Sequence, residues 1–166
     1  NGKLEAFKAI LEFLNFPVFG SERDSLLRAL LVHAVKCNKL AFVMYLIEQL
    51  GVVITADLKL FHYAIKFTAH NRLLEYLFAK IPHSFLVFPF NEKTGDNVWH
   101  TSVRFSNFSA FFFLYQKQFR MYLLAAINAH ELTPIVMLLQ MKQCKLLKQA
   151  IKHIPNFITG RFDHNA

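Results

Sequence analysis

Glycine and proline are scarce in this chain, five of each in 166 residues. Tight hairpins depend on them, because their turns need φ > 0 or a preset φ. A doubly wound sheet needs Val/Ile runs closed by glycine turns, and the only candidate is GVVIT at 51–55. Cysteine is scarcer still: Cys37 and Cys144 fit a reducing compartment and offer no disulfide framework. Neither has a second ligand at zinc spacing, so no metal is expected. Acid is short as well, with 11 Asp and Glu against 19 Lys and Arg, a formal net charge of +8. That imbalance points to acidic partners: protein, lipid head group or nucleic acid.

Apolar residues make up 54 % and charged ones 18 %, which raises the question of a membrane. The longest stretch without Asp, Glu, Lys or Arg is 105–116, only 12 residues, and it holds Ser and Asn. Spanning a bilayer takes about 20 apolar residues, so no transmembrane helix is expected. The opening NGKLEAFKAIL carries Glu5 and lacks a small-residue cleavage site, unlike a signal peptide. No H-x-x-x-H, H-E-x-x-H, nucleophile-elbow, G-x-G-x-x-G or Walker pattern occurs, so no cofactor and no catalytic residue are assigned.

What remains favours helix: Ala, Leu, Lys, Gln and Glu fill much of the chain. The periodicity predicts helices over 3–15, 22–37, 39–50, 56–67, 71–80, 98–105, 107–117, 119–130, 133–141 and 143–154. Their starts are legible. Ser21 with Asp24 three residues on reads as a capping box, Thr55 as an N-cap, and Thr133 as an N-cap followed by Pro134 at the first helical position. Short helices joined by short links lie antiparallel. The expected fold is therefore all-α, an α-solenoid of stacked antiparallel helix pairs forming a single domain over 1–166, with one long inserted loop.

A weak repeat supports the stack. Ala34, Ala64, Ser102 and Ala126 share a column, followed one position later by Val35, Ile65, Val103 and Ile127. Small residues recur where neighbouring helices approach closely. The most informative unit is GDNVWHTSVRFSNFSAFFFLYQK at 95–117, which contains the only tryptophan. It resembles the ankyrin repeat, G-x-T-P-L-H-x-A-A-x-x-G-x-L-x-h-V-x-x-L-L with h apolar. Gly95 and His100 match outright, and Ser102, Val103, Phe108, Phe111, Phe113 and Leu114 match conservatively. LFHYAIKF at 60–67 is similar to the same inner helix with His62 in the histidine position, and NGKLEAFKAILEFL at 1–14 to the family's turn and outer helix.

The resemblance implies that His100 braces an inner-helix turn by hydrogen bonds, and that Trp99 and the phenylalanines 111–113 are packing residues. Three in a row span about 200° of helix, so one of them faces a seam or solvent. It also implies that the pair after the small-residue column points into a concave, partner-holding groove. Those pairs read Lys36-Cys37, Lys66-Phe67, Arg104-Phe105, Asn128-Ala129 and Lys152-His153. Four of the five place a cation first, and helix C-termini favour cations in any case.

Three other features compete for function. Cys37 beside Lys36 is either a thiol activated by a cation or an ordinary thiol at a helix end. Lys142, Lys145, Lys148 and Lys152 share one face of the last helix, with Leu146, Leu147, Ala150, Ile151 and Ile154 on the other. The insertion IPHSFLVFPFNEKTGDN at 81–97 carries Phe88 and Phe90 around Pro89, a partner anchor or a packed lid. Together these predict a non-enzymatic protein-interaction module whose partner-binding residues are Lys36, Lys66, Phe67, Arg104, Phe105, Asn128, Lys152, Phe88 and Phe90. The expected partner is an acidic protein. The alternative is a basic α-solenoid that binds nucleic acid through the same groove. A start inside a unit reads as a fragment of a longer protein, and the divergent Phe-, Lys-, Asn- and Ile-rich repeats look similar to those of intracellular-bacterial effectors and large DNA viruses. An effector would act in the host cell interior.

Overall fold

The computed structural model of the chain describes residues 2–13, 20–54, 58–68, 71–81, 89, 93–117, 121–142 and 144–153. It is all-α, with no β-strand among the described residues. The helices are α1 (Gly2–Phe13), α2 (Ser21–Lys36), α3 (Leu40–Met44, continuing into a π-helical turn Tyr45–Gln49), α4 (Leu58–Phe67) and α5 (Asn71–Lys80). Then follow α6 (Val98–Arg104), α7 (Phe108–Gln116), a 3-10 turn (Met121–Leu124), α8 (Pro134–Gln140) and α9 (Cys144–His153). No helix among the described residues is long and apolar enough to cross a membrane.

Two of the helix starts differ in kind. Thr133 is the N-cap expected of it, its side chain accepting the Val136 N–H at 3.2 Å with Pro134 in the first turn. Ser21 is not a cap. Helix α2 begins at Ser21 after Gly20, which carries φ 133° and makes no side-chain cap bond. The chain turns into the helix through a conformation open to glycine, and the Ser21–Asp24 box does not form. Thr55 lies outside the described residues.

One expected helix is absent. Residues 119–130 were to be helical, but the described part holds only the 3-10 turn, and Ala126 and Ile127 are outside any helix. The backbone groups that would close a helix are bonded elsewhere. The Leu123 carbonyl accepts from the Asn97 side chain at 2.9 Å. The Asn128 side chain accepts the N–H groups of His130 and Leu132 at 2.9 and 3.1 Å. The Ala129 N–H donates to the Thr94 carbonyl at 2.9 Å. That last contact needs Gly95 (φ 63°), because a Cβ there would lie 2.9 Å from the Ala129 nitrogen.

Helices α2, α4, α6 and α8 pack in succession, α2 on α4, α4 on α6 and α6 on α8. Each lies against the helix that follows it in the chain, α3, α5, α7 and α9, and α5 also touches α7. The turns that join α2–α3, α6–α7 and α8–α9 repeat one geometry. Asn38, Ser106 and Lys142 take φ of 54°, 52° and 52° immediately after the capping residue, the left-handed C′ position that ends many helices. The Lys39 and Asn107 N–H groups reach back to the Ala34 and Ser102 carbonyls at 2.9 Å, the six-to-one bond of a Schellman turn.

These turns fix the register. Ala34 and Ser102 occupy one position, and its counterpart in α8 is Leu138. Of the expected column, Ala34 and Ser102 share this turn position and are buried, Ala64 is buried in α4, and Ala126 is part-exposed and outside any helix. The helix that packs next on α6 is α8, started by Thr133, and residues 125–132 lead into it without helix.

The aromatic stretch is a packing unit. Trp99 is fully buried and meets Phe111 edge-on at 5.2 Å; Phe113 meets Phe78 at 5.6 Å and 89°. Phe111 and Phe113 are buried and Phe112 is half-buried, as three consecutive positions on a helix require.

Candidate functional site

The C-terminal ends of α2, α4 and α6 each carry a cation, Lys36, Lys66 and Arg104. A cation in the last turn complements the partial negative charge of the helix end. The two lysines cross between helices. Lys36 Nζ stands 4.3 Å from the centre of the Tyr63 ring on α4, and Lys66 Nζ stands 4.4 Å from the Phe105 ring after α6. Lys66 also lies 5.0 Å from Phe67, which stacks on Tyr63 at 6.2 Å and 28°. His62 closes the group, perpendicular to Phe105 at 5.8 Å. Burial, helped by the charge of Lys66, pushes the His62 pKa below its ordinary value.

The result is one row, Lys36, Tyr63, Phe67, Lys66 and Phe105, across the successively packed α2, α4 and α6. Neither lysine forms an ion pair among the described residues. A ring face attracts a cation without neutralising it, so the row keeps its positive charge while the rings fix where the ammonium groups stand. Phe67 is 41 % exposed, and Lys36 is exposed too.

The other expected binding residues are placed differently. Arg104 ends the next helix, but its Nε donates to Asp96, whose other oxygen accepts from Asn128 Nδ2 at 2.8 Å. Burial alone would push Asp96 up; the bonds from Arg104 and Asn128 and the Arg104 charge outweigh it and hold the carboxyl below its ordinary range. Arg104 in turn is raised by that bond. Its charge is matched within the fold, and it braces the 94–97 loop. Asn128 is buried, 5 % exposed, with both ends of its amide bonded internally. It holds the 128–132 turn together and does not line a groove. Lys152 is exposed, but it lies on α9, whereas α8 carries the position equivalent to Arg104, which is Gln140. Lys152 is therefore not in the row. Phe88 and Phe90 lie outside the described residues.

Tyr63 was missed from the sequence, and His62 was read as a histidine of the repeat motif without a place beside the row. Tyr63 is three residues before Lys66 and four before Phe67, a spacing that places all three on one helical face. Nothing local tied it to Lys36.

His100 does what its position in the motif implied. Its Nδ1 accepts the Asn97 N–H at 3.3 Å, while the Asn97 side chain accepts the N–H groups of Trp99 and His100 at 3.0 and 3.1 Å. This is a reciprocal capping box with histidine in the usual Glu position. With Nδ1 accepting, Nε2 carries the proton and donates to the Leu132 carbonyl at 2.7 Å. Burial is the main reason its pKa falls below the ordinary value, against the pull of the Leu132 carbonyl and Asp96.

A concavity lies between α1 and the α2–α3 turn. It encloses about 610 Å³ and is lined by Leu4, Phe7, Leu30, Leu40 and Phe42 among others. Cys37 Sγ stands at its edge, 3.6 Å from His33 Nε2. A thiol beside an imidazole is where nucleophilic catalysis begins, but the lining includes no carboxylate to orient His33.

Compared with known proteins, the chain matches no family model, no curated protein and no solved structure.

Proposed function

We propose that the chain is an ankyrin-like α-solenoid and a non-enzymatic protein-interaction module, holding an acidic partner on the row formed by Lys36, Tyr63, Lys66, Phe67 and Phe105. One observation carries this reading. Each lysine leaves its own helix to sit over the ring presented by the next, at 4.3 and 4.4 Å. Two unneutralised cations are thereby fixed relative to one another and to exposed aromatic surface, the combination that favours carboxylates with adjoining apolar contact. The successive packing of α2, α4, α6 and α8, the recurring turn at Asn38, Ser106 and Lys142, and the His100 capping box support the ankyrin-like part.

The test is selection of displayed peptides on the chain, followed by binding kinetics of the enriched sequences. Enriched peptides should be rich in Asp and Glu, and Lys36→Glu/Lys66→Glu should slow their association about tenfold or more. The helical circular-dichroism signal should be kept and melting should fall by only several degrees, since two ring contacts and two helix-end charges are lost. Peptides without acid, or equal association with the reversed variant, overturn the reading.

A nucleic-acid strand would meet the same cations, and exposed Phe67 offers it a ring to stack on. A thymidine oligonucleotide discriminates the two. Phosphate contacts make log affinity fall linearly with log salt, with a slope near the number of phosphates neutralised. Tight oligonucleotide binding with such a slope, lost in the double variant, would replace the protein-partner reading.

A further inference from the structure

Helices α6 and α8 are the same unit built twice, and the comparison exposes a surface. Asn97 and Thr133 cap their starts and Ser106 and Lys142 close their ends. His100 thus corresponds to Val136 and Val103 to Leu139. In α6 both positions are fully buried, because α8 packs on it and the Leu132 carbonyl meets His100. Val35 and Ile65, which precede Val103 in the same column, are fully buried as well. In α8 the residues are 40 % and 55 % exposed. Helix α4 has α2, α5 and α6 against it, and α6 has α4, α7 and α8; the main neighbours of α8 are α6 and α9 alone.

The exposed charges of α9 and of the turn before it are all basic, and the acid nearest in sequence is exposed Glu131, ahead of the α8 cap. From Leu132 to Lys152 the sequence contains no Asp or Glu, while Lys142, Lys145, Lys148 and Lys152 supply four cations, all exposed. Helix α9, packed on α8, carries three of them. Packed helices lie about 8–10 Å apart, near the Debye length in physiological salt, so the lysines of α9 are within electrostatic reach of a ligand seated on α8. A second copy bringing the same face would meet like charge.

We infer that the exposed side of α8, centred on Val136 and Leu139, is a second docking surface that takes an amphipathic helix with an aliphatic seam and acidic flanks. It is separate from the row at Lys36 and Lys66 and does not depend on it. The seam would occupy the place that α8 takes on α6, and the acids would answer the α9 lysines.

Two designed peptides test it, each with leucines at helical i, i+3, i+4, i+7 spacing, one flanked by glutamate and the other by lysine. Measured by fluorescence anisotropy against the 166-residue chain, the glutamate peptide should bind at least about tenfold more tightly than the lysine peptide. Val136→Gln/Leu139→Gln should weaken it about tenfold or more, since the variant removes the aliphatic contact without adding charge. Both residues are exposed, so the variant should melt as the parent does, and Lys66→Glu should leave binding unchanged. Equal binding of the two peptides, or indifference to Val136→Gln/Leu139→Gln, overturns the inference. So does light scattering that shows a dimer which this variant dissolves, because the face then serves a second copy.

Discussion

Replacing His100 with alanine tests how α6 is held to the segment before α8. The imidazole makes two hydrogen bonds inside the fold, from the Asn97 N–H at 3.3 Å and to the Leu132 carbonyl at 2.7 Å. Each is worth about 1 kcal/mol net. Asn97 is only 5 % exposed, so its N–H, left without an acceptor, adds roughly 1 kcal/mol more. The ring is fully enclosed, and the void left behind costs on the order of 1 kcal/mol beyond that. The sum is about 4 kcal/mol. In a domain of this size that lowers the melting temperature by roughly 8–16 °C, measurable by far-ultraviolet circular dichroism. The Leu132 bond also ties α6 to the segment before α8, so α8 should lose hydrogen-exchange protection before α4 does. An acid limb follows from the same geometry. His100 is held neutral, below its ordinary value of 6.5, so its contribution is intact above about pH 6.5 and is lost as pH falls toward the folded value. The alanine variant should therefore melt with a shallower dependence on pH in that window. A melting shift below about 2 °C, or an unchanged acid dependence, would refute the reasoning.

Two further substitutions probe the connections. Gly95→Ala should cost about 2–3 kcal/mol, since it puts a Cβ 2.9 Å from the Ala129 nitrogen at φ 63°; denaturant melts check this, and a neutral effect would show that the 94–97 loop does not hold the 128–132 turn. Thr133→Ala removes a cap that accepts the Val136 N–H at 3.2 Å and should cost about 1 kcal/mol, seen as a lower denaturant midpoint at constant slope.

The helices were legible because their signals are local. Apolar periodicity and scarce glycine placed every described helix within two or three residues of where it lies, and Thr133–Pro134 announced its own start. The structural role of His100 was legible through its motif, because a capping box closes within four residues. The lost helix at 119–130 was not. Its composition suits a helix, and what prevents one is the loop at 94–97, which takes the Leu123 carbonyl and the Ala129 N–H for itself. That left α8 as the helix packed on α6, kept Lys152 out of the row and turned Asn128 from a surface residue into a buried brace. Charge shows the same division. The sequence supplied a cation at the ends of α2, α4 and α6, since helix ends favour one, and none at the end of α8. Only packing decided that Arg104 is matched by Asp96, whereas Lys36 and Lys66 reach across to the rings of the next helix and keep their charge. A side chain's type is written in the chain, but the partner that neutralises it or leaves it charged comes from elsewhere in the fold.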